Sequence, residues 1–142
     1  MARMNPYLTF DGKAEEAFLF YQSVFGGAFL GVHKMSEAPG TEQLPDNEKN
    51  LIMHIALPVD AYTTLMGSDI LPSAGHVLMP GNTVQLSLHP ESREEASRLF
   101  NGLSAGGKVE MPLQDTFWGA YFGSFTDKYG IHWMVNYELP RN

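Results

Sequence analysis

The sequence predicts an α+β fold built from two copies of one module, in the order strand, helix, strand, strand, strand. Three observations predict it. The tripeptide Glu15-Glu16-Ala17 returns 79 residues later as Glu94-Glu95-Ala96. The apolar alternation of Leu8-Thr9-Phe10 returns 78 residues later as Leu86-Ser87-Leu88. A double glycine follows the helical stretch of each half. A repeat of this kind indicates duplicated supersecondary units.

Each half opens with a strand and an amphipathic helix. In the first half, apolar residues at helical spacing form one stripe: Ala14, Ala17, Phe18, Tyr21, Val24 and Phe25. In the second half, Ser92 and Glu95 have the spacing of a capping box. The stripe that follows consists of Ala96, Leu99, Phe100 and Leu103. Gly26-Gly27 and Gly106-Gly107 are predicted to end the two helices.

The remaining segments of each half are rich in β-forming residues and bounded by turn residues. Strands are predicted over residues 28–35, 51–58 and 62–69, and over 108–111, 116–126 and 131–138. The loop of residues 36–50 is interpreted as a mobile lid or a disordered excursion. We therefore predict a single domain over residues 1–142, with a first module at 4–70, a linker at 71–81 and a second module at 82–139.

Composition excludes several classes of protein. The chain has 142 residues, an apolar fraction of 44% and a charged fraction of 18%, which is typical of a globular domain. There is no cysteine, so disulfides and thiolate metal sites are excluded. The net charge of −7 and the absence of a basic cluster argue against nucleic acid and anionic membranes as partners. The N-terminal residues lack the features of a secretory signal, so a cytoplasmic protein is expected.

Several strings together resemble a known superfamily. They are YLTF at residues 7–10, AEEAFLFYQSVFGG at 14–27, LMGSD at 65–69 and MPLQDTFWGAYFGSFTDKYGIHWMVN at 111–136. The chain resembles the vicinal oxygen chelate (glyoxalase/bleomycin-resistance) superfamily, and within it the PhnB-like branch named after 3-demethylubiquinone-9 3-methyltransferase. The resemblance implies modules packed side by side, with their sheets curled around a cleft and their helices outside. It also implies that this chain forms a homodimer, as is common in the superfamily.

Strand alternation assigns the two faces of each opening strand. In the first strand, Leu8 and Phe10 are predicted to face the helix, while Asn5, Tyr7 and Thr9 face away from it. In the corresponding strand of the second module, the same argument divides the residues into two sets. Val84, Leu86 and Leu88 are predicted to face the helix, and Thr83, Gln85 and Ser87 to face away. Both modules are therefore expected to present a polar face to the cleft.

The resemblance also implies four metal-ligand positions, which metalloenzymes of the superfamily fill with His or Gln, Glu, His and Glu. In this chain they fall on or near Asn5, Met66, Thr83 and Met134. An amide, a hydroxyl and two soft thioethers do not suit a hard or borderline divalent cation. We therefore predict no metal and no other cofactor. The chain also lacks the glycine-rich turn of a nucleotide-type cofactor site, which argues against the methyltransferase activity in the branch's name.

Two histidines are candidates for general acid–base chemistry. His54 is predicted to lie in phase with Ile52 and Ala56, and His132 to share a face with Met134 and Asn136. A structural role is the alternative for both histidines. Trp118 is interpreted either as core or as an aromatic wall of the cleft. Asp69, Asp115 and Asp127 are interpreted as turn formers at strand ends.

Three functions are consistent with these observations. The first is a metal-free protein that binds a small molecule in its cleft, and we rank it highest. Its predicted cleft residues are Asn5, Tyr7, Met66, Thr83, Gln85, Trp118, Met134 and Asn136. The second is a superfamily enzyme of the lyase, dioxygenase or transferase type, with a noncanonical metal or none and with His54 or His132 as acid or base. The third is an interaction protein with a vestigial cleft.

Overall fold

The computed structural model describes residues 2–140, and the chain divides into two compact units between Met79 and Pro80. The division falls within residues 71–81, the segment predicted as a linker. The first unit contains β1 (Tyr7–Phe10), α1 (Ala14–Phe25), β2 (Gly31–Lys34), α2 (Asp46–Lys49), β3 (Ile52–Pro58) and β4 (Thr64–Asp69). The second contains β5 (Leu86–Leu88), α3 (Arg93–Ser104), β6 (Lys108–Asp115), β7 (Ala120–Thr126) and β8 (His132–Glu138).

The two units have the same sheet topology, which confirms the predicted repeat and the α+β class. The first sheet has the order β1-β4-β3-β2 and the second β5-β8-β7-β6. In each sheet the opening strand pairs in parallel with the last strand, and the other pairs are antiparallel. Each unit is therefore an open, mixed four-stranded sheet with one long helix packed against it.

The predicted apolar stripes cover one face of each sheet. In the first unit Ala14, Ala17, Phe18 and Tyr21 of α1 are completely buried. In the second unit the buried face of α3 packs against β7 and β8, where the rings of Phe100 and Phe125 meet edge to face at 5.0 Å. Such aromatic contacts add to the stabilisation that comes from area burial alone. The core of each unit therefore lies between one helix and one face of its sheet.

Two glycines make this close packing possible. A Cβ at Gly67 would lie 2.7 Å from the Leu8 carbonyl oxygen and 2.8 Å from the Phe18 ring. A Cβ at Gly123 would lie 2.6 Å from the Phe100 ring. Both glycines pair with buried neighbours on the helix-covered face of their sheets. Glycine is thus required where a phenylalanine ring of the helix rests directly on the strand backbone.

Several strand boundaries differ from the prediction. The fragment 116–119 is a turn rather than the start of β7, because the Thr116 amide and hydroxyl both donate to the Ala120 carbonyl and Gly119 takes φ +91°. Strand β6 extends to Asp115 through two register shifts, well beyond the predicted end at Met111. The prediction that Val84 faces the helix is wrong. It precedes β5, has no strand partner and is 71% exposed.

The loop of residues 36–50 is folded onto the first unit. It contains the single-turn helix α2, whose Glu48 is only 6% exposed. The Glu48 carboxylate accepts a hydrogen bond from the Ser73 hydroxyl at 2.7 Å. We call residues 36–50 the anchored loop. The alternative that it is a disordered excursion is wrong, because the loop forms α2 and buries Glu48 against the first unit. The bond from Ser73 compensates for the burial of this charged residue.

None of the helices within residues 2–140 is long and apolar enough to cross a membrane.

Candidate functional site

Each sheet has a second face that its own helix does not cover, and we call it the helix-free face. In the first unit it presents Tyr7 and Thr9 of β1, because Leu8 and Phe10 are buried on the other side. Register places Met66 of β4 directly beside Tyr7. The predicted site residues Tyr7 and Met66 are therefore neighbours on one face, as strand alternation requires.

His54 also lies on the helix-free face of the first unit. Its half-buried imidazole lies 5.9 Å from the Tyr7 ring, measured between ring centroids. Within residues 2–140, no hydrogen bond engages this imidazole. His54 thus has both ring nitrogens open to a partner, beside an aromatic wall.

The predicted phase of His54 with Ile52 is wrong. His33 pairs with His54 and the next residue, Lys34, pairs with Ile52, so β3 contains one extra residue, Met53. This bulge places Ile52 and His54 on opposite faces. Ile52 is accordingly 1% exposed, and its amide donates to the Asp69 carboxylate.

Asn5 is held in place by the backbone. Its side-chain oxygen accepts a hydrogen bond from the Thr64 amide at 2.9 Å, at the start of β4. Asn5 precedes β1 and joins the two strands at the point where their pairing begins. The bond uses the amide oxygen that the superfamily's ligand position would direct at a metal.

The helix-free face of the second unit is centred on Met134 and Asn136 of β8. Met134 lies between Ser87 of β5 and Ser124 of β7. Asn136 lies opposite Phe122. Their neighbours Trp133 and Val135 are buried on the helix-covered side. The predicted shared face of His132, Met134 and Asn136 follows directly from this alternation.

Both ring nitrogens of His132 are engaged within the unit. Nε2 lies 3.0 Å from the Gly81 carbonyl oxygen, which can only accept a hydrogen bond. Nδ1 lies 2.8 Å from the Thr126 hydroxyl, which itself donates to the Glu110 carboxylate. The Glu110 oxygen is 3.9 Å from Nδ1. His132 therefore holds the segment before β5 against the sheet and has no ring nitrogen left for a substrate.

Thr83 and Gln85 lie in this same segment, before the first residue of β5. Both are exposed, and the Gln85 side chain donates to the nearby Asn82 carbonyl at 3.1 Å. The strand that would fix their direction begins only at Leu86. The structure thus places these two predicted site residues on an irregular segment instead of on a strand.

An open cavity of about 370 Å³ lies at one end of the second sheet. Trp118 and Asn136, both predicted site residues, line it, and so does the acidic residue Glu138. Within residues 2–140, the lining consists of Trp118, Gly119, Ala120, Asn136, Glu138, Leu139 and Pro140. The volume lies in the range typical of small-molecule sites.

Trp118, which lines this cavity, is the middle member of a row of three aromatic rings. Phe117 and Trp118 meet edge to face at 5.0 Å, and Trp118 and Phe122 at 6.0 Å. Phe117 is 97% exposed and Trp118 is 56% exposed, so Trp118 belongs to a wall and not to the core. Phe117 and Trp118 are exposed because the 116–119 turn carries them away from the buried face. By contrast, Trp133 of β8 is 2% exposed.

Glu138 is the lining residue with a charged side chain that sequence reasoning missed. It lies on the same face as Asn136, two residues further along β8 and opposite Ala120. The signal was present in the strict alternation of β8. It was overlooked because Asp69, Asp115 and Asp127, at predicted strand ends and turns, were the only carboxylates singled out.

The three aspartates interpreted as turn formers have more specific roles. Asp69 is buried and accepts from the Ala14 amide at the start of α1, where a negative charge is favourable. Asp127 is buried and binds the Trp133 indole at 2.8 Å in addition to its turn. Asp115 forms a bidentate ion pair with Arg93 at 2.9 and 3.1 Å. Hydrogen bonds from Arg93 lower the pKa of Asp115, and those same bonds raise the pKa of Arg93.

The donor groups at the superfamily's ligand positions do not fit its divalent metal. The Asn5 oxygen is already bonded to the backbone, Thr83 is exposed on an irregular segment, and the other two positions are thioethers. Among the described residues of either unit, no three His, Asp or Glu side chains are grouped so that they could hold a metal ion. Hard cations require oxygen or imidazole ligands that converge on one point.

Comparison with known proteins agrees with this architecture. A family model described as 3-demethylubiquinone-9 3-methyltransferase matches residues 2–136. Protein YjdN of Escherichia coli is 36% identical over 141 residues, covering 94% of this chain and 93% of that protein. The crystal structure of PA1353 from Pseudomonas aeruginosa is 38% identical with a TM-score of 0.86, covering 99% of this chain and 100% of that one. A Bacillus cereus structure described as a putative 3-demethylubiquinone-9 3-methyltransferase, PhnB protein, has a TM-score of 0.78 at 24% identity, with coverage of 96% and 99%.

The repeated βαβββ architecture is the fold of solved structures described as glyoxalase/bleomycin resistance or glyoxalase-related proteins. By sequence, this chain belongs to the 3-demethylubiquinone-9 3-methyltransferase family. Fold and family do not by themselves assign an activity, because function is set by the site.

Proposed function

We propose that this protein binds a small organic molecule in the cavity beside Trp118 and that it does so without a metal. The observation that carries the proposal is the half-exposed Trp118, which lines a 370 Å³ cavity together with Asn136 and contacts the rings of Phe117 and Phe122. Large aromatic surfaces left exposed on a globular unit are typical of binding sites. Aromatic walls with a few polar groups are the usual composition of such sites.

The geometry suits a flat ligand. The Trp118 side chain is half exposed, so part of the indole surface is open to a partner. Stacking on an indole adds to the gain from burying apolar area. The Asn136 amide offers both a donor and an acceptor close to that ring, which would orient the ligand.

Trp118→Ala tests this proposal against a matched control, Tyr62→Ala. Tyr62 is a 75% exposed aromatic residue in the first unit. A library of flat aromatic metabolites is screened by thermal shift with wild type and both variants. A ligand at 100 times its Kd stabilises the folded state by about 2.7 kcal/mol, which gives a measurable rise in Tm.

We expect the shift to persist in Tyr62→Ala and to vanish in Trp118→Ala. Removal of divalent ions with a chelator should leave the wild-type shift unchanged, because the ligand positions carry no suitable metal donors. A shift that survives Trp118→Ala would contradict the site, and a shift that a chelator removes would contradict metal-free binding.

A second candidate function, that of an enzyme, is favoured by one observation. His54 lies beside Tyr7 and no hydrogen bond within residues 2–140 engages its imidazole, so it is available as a general acid or base. His132 is less suited because both of its nitrogens are engaged. If turnover of a candidate substrate is found, His54→Gln should abolish it while His132→Gln retains it. Equal activity in His54→Gln and wild type would exclude this role.

A further inference from the structure

The charge of the Trp118 cavity points to the chemical class of its occupant. Of the residues within 2–140 that line the cavity, Glu138 is the only one with a charged side chain. In that described part of the chain, no lysine, arginine or histidine lines the cavity to meet an anionic ligand. An anion would therefore approach a like charge, which is unfavourable.

The Glu138 carboxylate differs from the other acidic groups of the second sheet in its partners. Asp115 is paired with Arg93, and Glu110 accepts a hydrogen bond from Thr126. Within residues 2–140, no hydrogen bond or ion pair engages the Glu138 carboxylate. This exposed carboxylate therefore has no partner in that range to neutralise its charge, and a cationic ligand in the cavity can pair with it.

The aromatic wall favours the same class of ligand. The face of an indole attracts a cation more strongly than any other side-chain ring does. Trp118 and Glu138 line one cavity, so one ligand can meet both an indole and a carboxylate. The net charge of −7 adds a long-range attraction for cations.

We infer that the occupant of this cavity is a flat aromatic cation, held by the Trp118 indole and the Glu138 carboxylate. This inference rests on the proposed function. It adds the sign of the ligand's charge and assigns a specificity role to a residue outside the superfamily's ligand positions. Asn136, beside Glu138 on β8, would accept or donate the remaining hydrogen bond of the ligand.

The test compares three probes of the same shape at neutral to mildly alkaline pH. They are N-methylquinolinium as the cation, quinoline as the neutral probe and quinoline-4-carboxylate as the anion. Dissociation constants are measured by NMR titration on the backbone amide of Gly119, which lines the cavity. The proteins are wild type, Glu138→Gln, Trp118→Ala and the control Glu94→Gln. Glu94 is an exposed residue of α3, so its variant removes one charge without altering the cavity.

We expect wild type to bind the cation about fivefold more tightly than quinoline, the size of effect expected for one partly exposed charge pair. Glu138→Gln should remove that preference and Glu94→Gln should keep it. Raising the salt concentration should weaken binding of the cation but not of quinoline.

The outcomes separate the two proposals. If quinoline or the anion binds as tightly as the cation, or if Glu138→Gln retains the preference, the inference about charge is overturned while Trp118-dependent binding still supports the proposed function. If no probe shifts the Gly119 amide, or if all of them bind Trp118→Ala as well as wild type, the proposed function fails together with the inference.

Discussion

The buried carboxylate of Asp127 provides the sharpest prediction about stability. Oδ1 accepts hydrogen bonds from the Tyr129 and Ile131 amides at 2.8 and 3.0 Å, and Oδ2 accepts from the Trp133 indole at 2.8 Å. Asp127 is 3% exposed and Trp133 is 2% exposed. One side chain therefore closes the turn between β7 and β8 and satisfies the largest side chain of the core.

Asp127→Ala should lower the free energy of unfolding by about 3 to 5 kcal/mol. Water can reach the two turn amides in part, but the indole N–H is left without an acceptor in a buried place, which costs about 1 to 3 kcal/mol by itself. The lost charge-assisted bonds account for the remainder. Asp127→Asn keeps one acceptor oxygen but places an amide N–H₂ near a donor, so we expect an intermediate loss of about 2 kcal/mol.

The measurement is urea unfolding followed by tryptophan fluorescence. The chain has two tryptophans, and in a Trp118→Phe background the signal comes from Trp133 alone, which reports on the second unit. Asp115→Asn in the same background is the control, since it removes an exposed carboxylate and should barely move the midpoint. An Asp127→Ala midpoint within error of this control would refute the reasoning.

Three further predictions concern other contacts. Arg93→Gln should raise the pKa of Asp115 toward its ordinary value, because Arg93 donates the hydrogen bonds that lower this pKa. NMR titration of the Asp115 carboxyl measures the change. In wild type, the stabilising contribution of the pair is present at neutral pH and is lost as the pH falls through the lowered pKa of Asp115. An unchanged Asp115 pKa in Arg93→Gln would exclude the pair in solution. Gly107→Ala should destabilise the second unit far more than a surface substitution does, because its Cβ would clash with the Thr126 carbonyl oxygen; a midpoint equal to that of wild type in urea would contradict this packing. Glu48→Ala should speed limited proteolysis of the anchored loop, since it removes the buried carboxylate that holds the loop, and cleavage at the wild-type rate would show that the loop is held by other contacts.

Much of the fold could be predicted because its signals are local in sequence. The stripe from Ala14 to Phe25 and the Ser92 cap each depend on a few neighbouring residues, and both helices form where predicted. Ser92 accepts from the Glu95 amide as predicted, although the Glu95 carboxylate reaches the Glu91 amide, one residue before the position that a capping box requires. The repeat offset then extended the interpretation of one half to the other.

The errors lie where pairing between distant segments decides the outcome. The bulge at Met53 places Ile52 on the face opposite to the predicted one, and no local sequence pattern in β3 predicts the bulge. Val84 continues an apolar alternation that predicts a strand, yet it is exposed and has no strand partner. Alternation assigns faces only while the ladder is regular, and one extra residue inverts every assignment beyond it.

The sequence by itself determined the two-module architecture and the faces of the regular strands. These depend on residue type and short-range period. Only the tertiary structure decided which side chains meet: Trp118 with Asn136 and Glu138 around a cavity, His54 with Tyr7, and Asp127 with Trp133. The physical reason is that a turn, a bulge or a strand register fixes direction in space, and those depend on contacts between segments that are remote along the chain.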